Sequence, residues 1–167
     1  LFCQTLIREI APHVGITSSS IHDVYMAFGK GDLEGFTIPA MNVRTLTYDF
    51  ARLVFKLVIE NDIGAVIFEI ARSEQGYTDQ NPSEYSASIL AGAIKEGYQG
   101  PVFIQGDHYQ FKRSAFKDDK ESEISRIQDA IDESMNAHFY NIDIDASTLV
   151  DLDKDDVQEQ QKDNYEM

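Results

Sequence analysis

The chain has 167 residues, of which 14 are Lys or Arg and 29 are Asp or Glu, so its formal net charge is −15 at pH 7. This charge argues against duplex nucleic acid or an anionic membrane as the main partner, because both are polyanions that need a basic protein surface. A hydrophobic content of 43% is too high for a disordered chain, and no apolar run is long enough to predict a membrane span. Because Cys3 is the single cysteine, it has no intrachain disulfide partner, and we expect a soluble, cytoplasmic, globular protein.

The first 34 residues predict a helical segment that precedes the main domain. Apolar residues within 1–14 recur at loose helical spacing and are followed by Gly15, a residue that commonly ends helices. The hydroxyl residues of 17–20 are predicted to cap a second helix, which ends at the glycines of 29–31. The chain begins with leucine instead of methionine, so we expect a processed or partial sequence.

From residue 35 onward, short apolar segments alternate with helical patterns. The apolar segments are rich in Ile, Val and Phe and cover 36–43, 65–71, 101–108 and 139–145. The helical patterns between them cover 49–61, 82–98 and 119–137. This alternation predicts βαβ units and a parallel sheet covered on both faces, with Pro39 at a strand end or bulge because it lacks an N–H. Four such units are half of a (β/α)₈ barrel, and they also nearly complete an open doubly wound sheet, the alternative fold.

Polar side chains follow each of the four predicted strands. They are Asn42 and Arg44, the segment 69–74, Asp107 and His108, and the segment 143–147. In parallel α/β folds of both kinds, ligands bind where the carboxyl ends of the strands meet. Burying such groups costs several kcal/mol unless they are paired or bind a metal, so their convergence predicts a polar site at this edge.

The adjacent residues Asp107 and His108 admit two interpretations. In the first, the imidazole binds Zn²⁺ and the carboxylate beside it transfers protons. In the second, the histidine lies in a loop and is hydrogen-bonded to the neighbouring aspartate. Because adjacent strand residues point to opposite sides, Gly106 is predicted to turn the chain out of the sheet. Asp143 and Asp145 share one strand face, which indicates either a cation between them or an Asx turn at the strand end.

Three other features also leave alternatives open. Asn42 either donates to a substrate oxygen or caps the turn into 45–47. Glu69 lies in an apolar strand, where Arg72 is its predicted ion-pair partner. The basic stretch 112–117 either steers a phosphorylated substrate or forms a solvated loop.

Three short segments together resemble a known enzyme family. They are PAMNV at 39–43, FIQGDHYQ at 103–110 and NIDIDAS at 141–147. In this order and at these strand ends, they resemble class II fructose-bisphosphate aldolases over about residues 35–152. The resemblance implies that 35–167 is the N-terminal half of a (β/α)₈ TIM barrel, with about four βα units. It also implies a homodimer or higher oligomer and a bound Zn²⁺ or other divalent cation.

The same resemblance assigns roles to individual residues. Asp107 matches the catalytic acid/base, His108 a histidine ligand of zinc, and Asp145 an acidic residue near the metal. Asn42 and Ser147 match positions near the substrate, and we expect both to contact it. The implied substrate is a small sugar phosphate: a ketose (bis)phosphate such as fructose 1,6-bisphosphate, cleaved to dihydroxyacetone phosphate and an aldehyde.

The family has two further zinc-binding histidines and glycine-rich phosphate loops on later strands. We therefore expect either the N-terminal part of a longer aldolase or a non-catalytic barrel subunit with a binding or assembly role. A third reading is a different small α/β enzyme with Mg²⁺ at Asp143 and Asp145, which requires a strand order that reverses. The open strand edges of a half-barrel predict an oligomeric or aggregated chain.

Overall fold

A computed structural model describes residues 2–167 as a parallel sheet with α-helices. The strands are β1 (Ile16–Ser19), β2 (Ala40–Asn42), β3 (Ile67–Ala71), β4 (Gly100–Gln110) and β5 (Asn141–Asp145). The helices are α1 (Phe2–Ile10), α2 (His22–Lys30), α3 (Thr47–Glu60), α4 (Arg72–Thr78), α5 (Pro82–Glu96), α6 (Arg113–Asp118), α7 (Lys120–Asn136) and α8 (Val157–Glu166). The predicted helix start at Leu1 lies outside the described residues. Across 2–167, every helix is too short or too polar to cross a membrane.

The strands pair in parallel, and β2, β3, β4 and β5 are neighbours in chain order. The long strand β4 pairs with β3 on one edge. On its other edge it pairs first with β1 and further along with β5. The predicted parallel α/β fold is confirmed. From β2 to β5 the strands are neighbours in chain order, whereas β1 lies beside β4 and is separated from β2 by β4 and β3, so the order reverses between β1 and β2. A closed eight-stranded barrel is not part of what residues 2–167 show.

The prediction that the N-terminal segment is purely helical is wrong, because the segment contains strand β1. The helical stretch does end at Gly15, which adopts a left-handed conformation with φ of 85°. The hydroxyl residues that follow belong to β1 rather than to a helix cap. Ile16 is fully buried and β1 pairs with Gly100–Phe103, so the free edge of β4 holds this polar segment in the sheet.

Other boundaries follow from local chemistry. Strand β2 begins only at Ala40 because Pro39 has no N–H to give to the sheet, as predicted for a strand end. Helix α5 begins at Pro82, as predicted, and the Asn81 side chain caps it by accepting the Glu84 N–H at 2.9 Å. The short or polar helices α4, α6 and α8 were not predicted, because they have little apolar periodicity.

The long helices α3, α5 and α7, which lie between successive strands from β2 to β5, cover one face of the sheet. Helix α3 packs against α5, and α5 packs against α7. Their apolar side chains meet Phe68 and Ile104 in the main hydrophobic core. Each fully buried side chain of this size contributes roughly 1.5–3 kcal/mol to stability. The opposite face is apolar near the strand starts, where Ile21 and the α2 residue Val24 pack on Ile67 and Phe103.

Candidate functional site

A row of polar side chains crosses the face opposite α3, α5 and α7, toward the carboxyl ends of the strands. The parallel register places Asn42 beside Glu69, Glu69 beside Gln105, and Gln105 beside Asn141. The Gln105 amide donates to Glu69 Oε2 at 3.3 Å. Four strands thus contribute three amides and one carboxyl to one row, which lies next to the apolar layer on its carboxyl-terminal side.

A β-bulge in β4 places the next two residues of the site. Gly106 pairs with Ile142 and Tyr109 pairs with Ile144, so β4 carries one extra residue in this interval. Asp107 and His108 therefore lie together opposite a single β5 residue, and His108 has a left-handed φ of 47°. A bulge re-aims side chains that strict alternation would send to opposite faces. The prediction that Gly106 turns the chain out of the sheet is wrong, because β4 continues to Gln110.

Packing on the helix-covered face holds this bulge in place. The Tyr109 ring is fully buried and lies over Gly106, where a Cβ would meet the ring at 2.5 Å. Tyr109 Oη lies 2.5 Å from Ser134 Oγ of α7 and accepts a hydrogen bond from Gln75 Nε2 at 2.9 Å. The hydrogen bonds of its hydroxyl to Ser134 and Gln75 therefore hold the Tyr109 ring in position over Gly106.

The His108 imidazole lies among three aspartates. Its Nε2 is 3.6 Å from Asp107 Oδ2, and its Nδ1 is 3.6 Å from Asp143 Oδ2 and 3.3 Å from Asp145 Oδ2. Asp107, first of all, raises the pKa of His108, with the two β5 aspartates adding to the effect. Burial raises the pKa of Asp107, and the negative charge of Asp143 raises it further, although the imidazole opposes the rise. Burial and the nearby Asp107 likewise raise the pKa of Glu69.

Three of these groups are close enough to share one cation. Single ligand atoms of Asp107, His108 and Asp143 lie within 4.8 Å of one another. One imidazole nitrogen and two carboxylate oxygens suit Zn²⁺ or another divalent cation. The sequence prediction of a metal at His108 included Asp145, which contacts the imidazole but lies outside this group, so its role as a ligand stays a prediction. Asp143 joins the site because it shares a strand face with Asp145.

Asp145 and Ser147 form a turn at the end of β5. The Ser147 N–H and hydroxyl donate to Asp145 Oδ1 at 3.0 and 2.5 Å, and Gln110 donates to Oδ2 at 2.8 Å. Although burial acts to raise it, these hydrogen bonds lower the pKa of Asp145. This is the Asx turn that the sequence left open. Contact between Ser147 and a substrate stays a prediction.

Asn42 is held by groups that the sequence analysis did not connect with it. Its amide donates to Glu74 Oε2 at 2.7 Å, and its carbonyl accepts from Arg44 Nε at 3.0 Å. Glu74 is buried and pairs with Arg44 at 2.6 Å. The interpretation of Asn42 as a turn cap is wrong, because α3 begins after Leu46 without a side-chain cap. Glu74 could have been found from the sequence, because a glutamate at the third position of a helix is a capping signal. Here it accepts the Ala71 N–H at the start of α4.

A cleft of about 810 Å³ opens beside His108. Its wall carries Lys112 from the predicted basic stretch together with Arg72 and Arg126. The predicted ion pair between Glu69 and Arg72 is not formed, since Glu69 receives the Gln105 amide instead. Arg126 was missed because it lies in the acidic pattern of α7, far from Arg72 in the chain.

The carboxyl edge of the sheet therefore combines a partly buried carboxyl with a raised pKa, an imidazole among carboxylates and a cationic cleft. These groups suit proton transfer, cation binding and the binding of an anionic ligand, respectively. Comparisons of the chain with protein-family models, with curated proteins and with solved structures found no match.

Proposed function

We propose that this chain supplies the first four βα units of a cytoplasmic (β/α)₈ aldolase that cleaves and condenses a ketose phosphate such as fructose 1,6-bisphosphate. The β4 bulge carries the proposal, because it brings Asp107 and His108 together beside Asp143 and Asp145. A carboxyl and an imidazole on adjacent residues then serve one site, which strict strand alternation would prevent.

Two features of the sheet support the barrel. The strands β2 to β5 are neighbours in chain order, and the helices that connect them cover a single face. In a (β/α)₈ barrel the helices form the outer ring and the helix-free face becomes the filled interior. Here the face opposite α3, α5 and α7 is apolar at the strand starts, where Val24 of α2 also contacts it, and polar at the strand ends, where the site of a barrel lies.

The side chains present fit a divalent cation. His108 and Asp143 would hold it, with Asp145 adjacent to the imidazole. When bound, the cation would supply Lewis-acid stabilisation of the negative charge that develops on a substrate oxygen. Gln110 and Ser147 keep the Asp145 carboxylate in a fixed orientation toward His108 through hydrogen bonds.

Asp107 is the proposed proton carrier. Its partly buried carboxyl has a raised pKa, which makes it a better proton acceptor and donor near neutral pH than an exposed aspartate. It takes the proton of the substrate hydroxyl as the carbon–carbon bond breaks, and it returns that proton in the condensation. Asn42 and Ser147 are proposed to contact the substrate from either side of this centre.

A second candidate is a non-catalytic barrel subunit that assembles with other chains. The outer edge of β5 favours it, because Ile144 is 48% exposed there and the strand has no second neighbour within residues 2–167. An exposed strand edge is a pairing surface. The same edge is consistent with a homodimer or higher oligomer of an active aldolase.

The test is cleavage of fructose 1,6-bisphosphate by the purified, zinc-loaded full-length protein that contains this chain, measured as triose phosphate release. We expect Asp107→Asn and His108→Ala to lower the rate by about 10²-fold or more. Bound zinc should fall in His108→Ala and persist in Asp107→Asn. Asp118→Asn and His13→Ala, which change exposed residues outside the site, are the matched controls. Full activity in both site variants would refute the assignment, and zinc binding without any cleavage would favour the non-catalytic subunit.

A further inference from the structure

The cleft beside His108 concentrates positive charge in a strongly acidic chain. Three of only 14 Lys and Arg residues, namely Arg72, Lys112 and Arg126, line this one cavity. The acidic residue on its wall is Glu74, whose carboxylate is already engaged by Asn42, by Arg44 and by a backbone N–H. The cavity therefore presents Arg72 and Lys112 without a carboxylate partner on its wall, whereas Arg126 is paired with Glu123.

Arg72 is the least compensated of these cations. Its side chain is partly buried, and within residues 2–167 it makes no hydrogen bond or ion pair. It also borders a smaller cavity of about 460 Å³ that contains Asp129 and Glu133, yet it pairs with neither. Burial and the like charge of Arg126 lower the pKa of Arg72, although the negative charge of Glu123 acts in the opposite direction. A partly desolvated guanidinium with free donors is costly unless an anion binds to it.

Arg126 is held in position by a buried carboxylate. Glu123 is 2% exposed and accepts two hydrogen bonds from the Arg126 guanidinium. The same carboxylate accepts the Lys112 backbone N–H at 2.7 Å. Glu123 thereby fixes the end of β4 against α7 and keeps Arg126 and Lys112 on the same wall of the cleft.

We propose that Arg72, Arg126 and Lys112 form a subsite for a phosphate monoester dianion, occupied by the phosphate group of the substrate. The assignment of that ligand as a sugar phosphate rests on the proposed aldolase function, whereas the anion chemistry follows from the cleft itself. A planar guanidinium binds two phosphate oxygens at once, and the Arg72 donors are free to do so. Arg126, whose Nε and Nη2 are bound to Glu123, and the flexible Lys112 ammonium add positive charge beside it. His108 lines the same cleft, so a phosphate held there leaves the rest of the ligand beside the imidazole.

Binding of inorganic phosphate and of glycerol 3-phosphate to metal-free protein, measured by titration calorimetry, tests this proposal without turnover. We expect Arg72→Met to weaken both ligands by about tenfold or more, the effect of losing charge-assisted hydrogen bonds. Lys112→Ala should weaken them several-fold while leaving the backbone bond to Glu123 intact. Unphosphorylated glycerol should not bind. Tighter binding of the ester than of inorganic phosphate identifies a phosphorylated metabolite as the ligand, and equal or weaker binding of the ester overturns that assignment.

Arg113→Met is the matched control, because Arg113 belongs to the same basic stretch but pairs with Asp151 and does not line the cleft. Its phosphate affinity should stay within twofold of the parent. An unchanged affinity in folded Arg72→Met, or an equal loss in Arg113→Met, would overturn the subsite. Asp107→Asn separates the two proposals, since it should abolish cleavage and leave phosphate binding unchanged. Phosphate binding that depends on Arg72 in a protein without aldolase activity would refute the reaction and keep the subsite.

Discussion

Replacing Gly106 with alanine tests whether Tyr109 packing sets the β4 bulge. A Cβ at this position would lie 2.5 Å from Tyr109 Cε2, 2.9 Å from Cζ and 3.0 Å from Oη. Contacts this short require movement, but the ring is fully buried and its hydroxyl is hydrogen-bonded to Ser134 and Gln75. Overpacking a buried site costs about 1–3 kcal/mol. We expect the upper part of that range, because the ring moves only by losing a buried hydrogen bond.

Urea unfolding followed by far-UV circular dichroism measures this cost. For a slope of about 2 kcal/mol/M, the expected loss lowers the midpoint by about 1 M. Gly29→Ala is the matched control, since Gly29 lies in α2 with ordinary backbone angles and nothing within 4 Å of the added methyl. That control should not destabilise the protein, because alanine favours a helix over glycine by up to about 1 kcal/mol.

A double-mutant cycle shows whether the ring is the cause. In a Tyr109→Leu background the atoms nearest to the new Cβ are absent, so the penalty of Gly106→Ala should shrink to less than half. An unchanged midpoint for Gly106→Ala, or an equal penalty with and without the ring, would refute the packing explanation of the bulge.

Two further predictions concern hydrogen bonds of side chains away from the bulge. Although burial acts to raise it, hydrogen bonds from the Ala71 N–H and the Asn42 amide, together with Arg44, lower the pKa of Glu74. A lowered folded-state pKa gives stability that is present above the unfolded-state pKa and lost as pH falls through the folded-state value. Glu74→Gln should therefore be less stable at pH 7 and lose less stability between pH 5 and 3 in thermal melts, whereas parallel acid profiles would contradict this reasoning. Asn81→Ala should cost about 0.5–2 kcal/mol in urea unfolding, because it removes the cap that accepts the Glu84 N–H at the start of α5; an unchanged midpoint would show that the cap contributes nothing.

The regular elements of the fold could be predicted because their signals are local. Apolar runs and helical spacing identified the strands from β2 to β5 and the helices α3, α5 and α7, with errors confined to their ends. Strand β1 could not be found this way, since Thr17 and its serine neighbours have no apolar alternation. Its position depends on pairing with Gly100–Phe103, more than 80 residues away, and a local pattern does not contain that partner.

The candidate site was predictable by location but not by geometry. The rule that ligands bind at strand ends selected Asp107, His108 and Asp145 before their contacts were known. It selected Arg72 only as an ion-pair partner of Glu69 and did not select Arg126, because the proximity of these two arginines depends on α4 and α7 meeting beside the cleft. The sequence alone does not distinguish an arginine that lines a cleft from a solvated one, because an arginine on an acidic helix is ordinarily exposed to solvent.

The extra residue of β4 links the hydrophobic core to the candidate site. With strict alternation from Gly106, His108 would point into the helix-covered core and Tyr109 would point out of it. Burying an imidazole there costs free energy, and the Tyr109 hydroxyl would lose Ser134. The bulge exchanges the two outcomes: Tyr109 returns to the core, and Asp107 and His108 both lie with Asp143 at the carboxyl edge. The chemistry proposed for this edge therefore depends on a packing contact on the opposite face of the sheet.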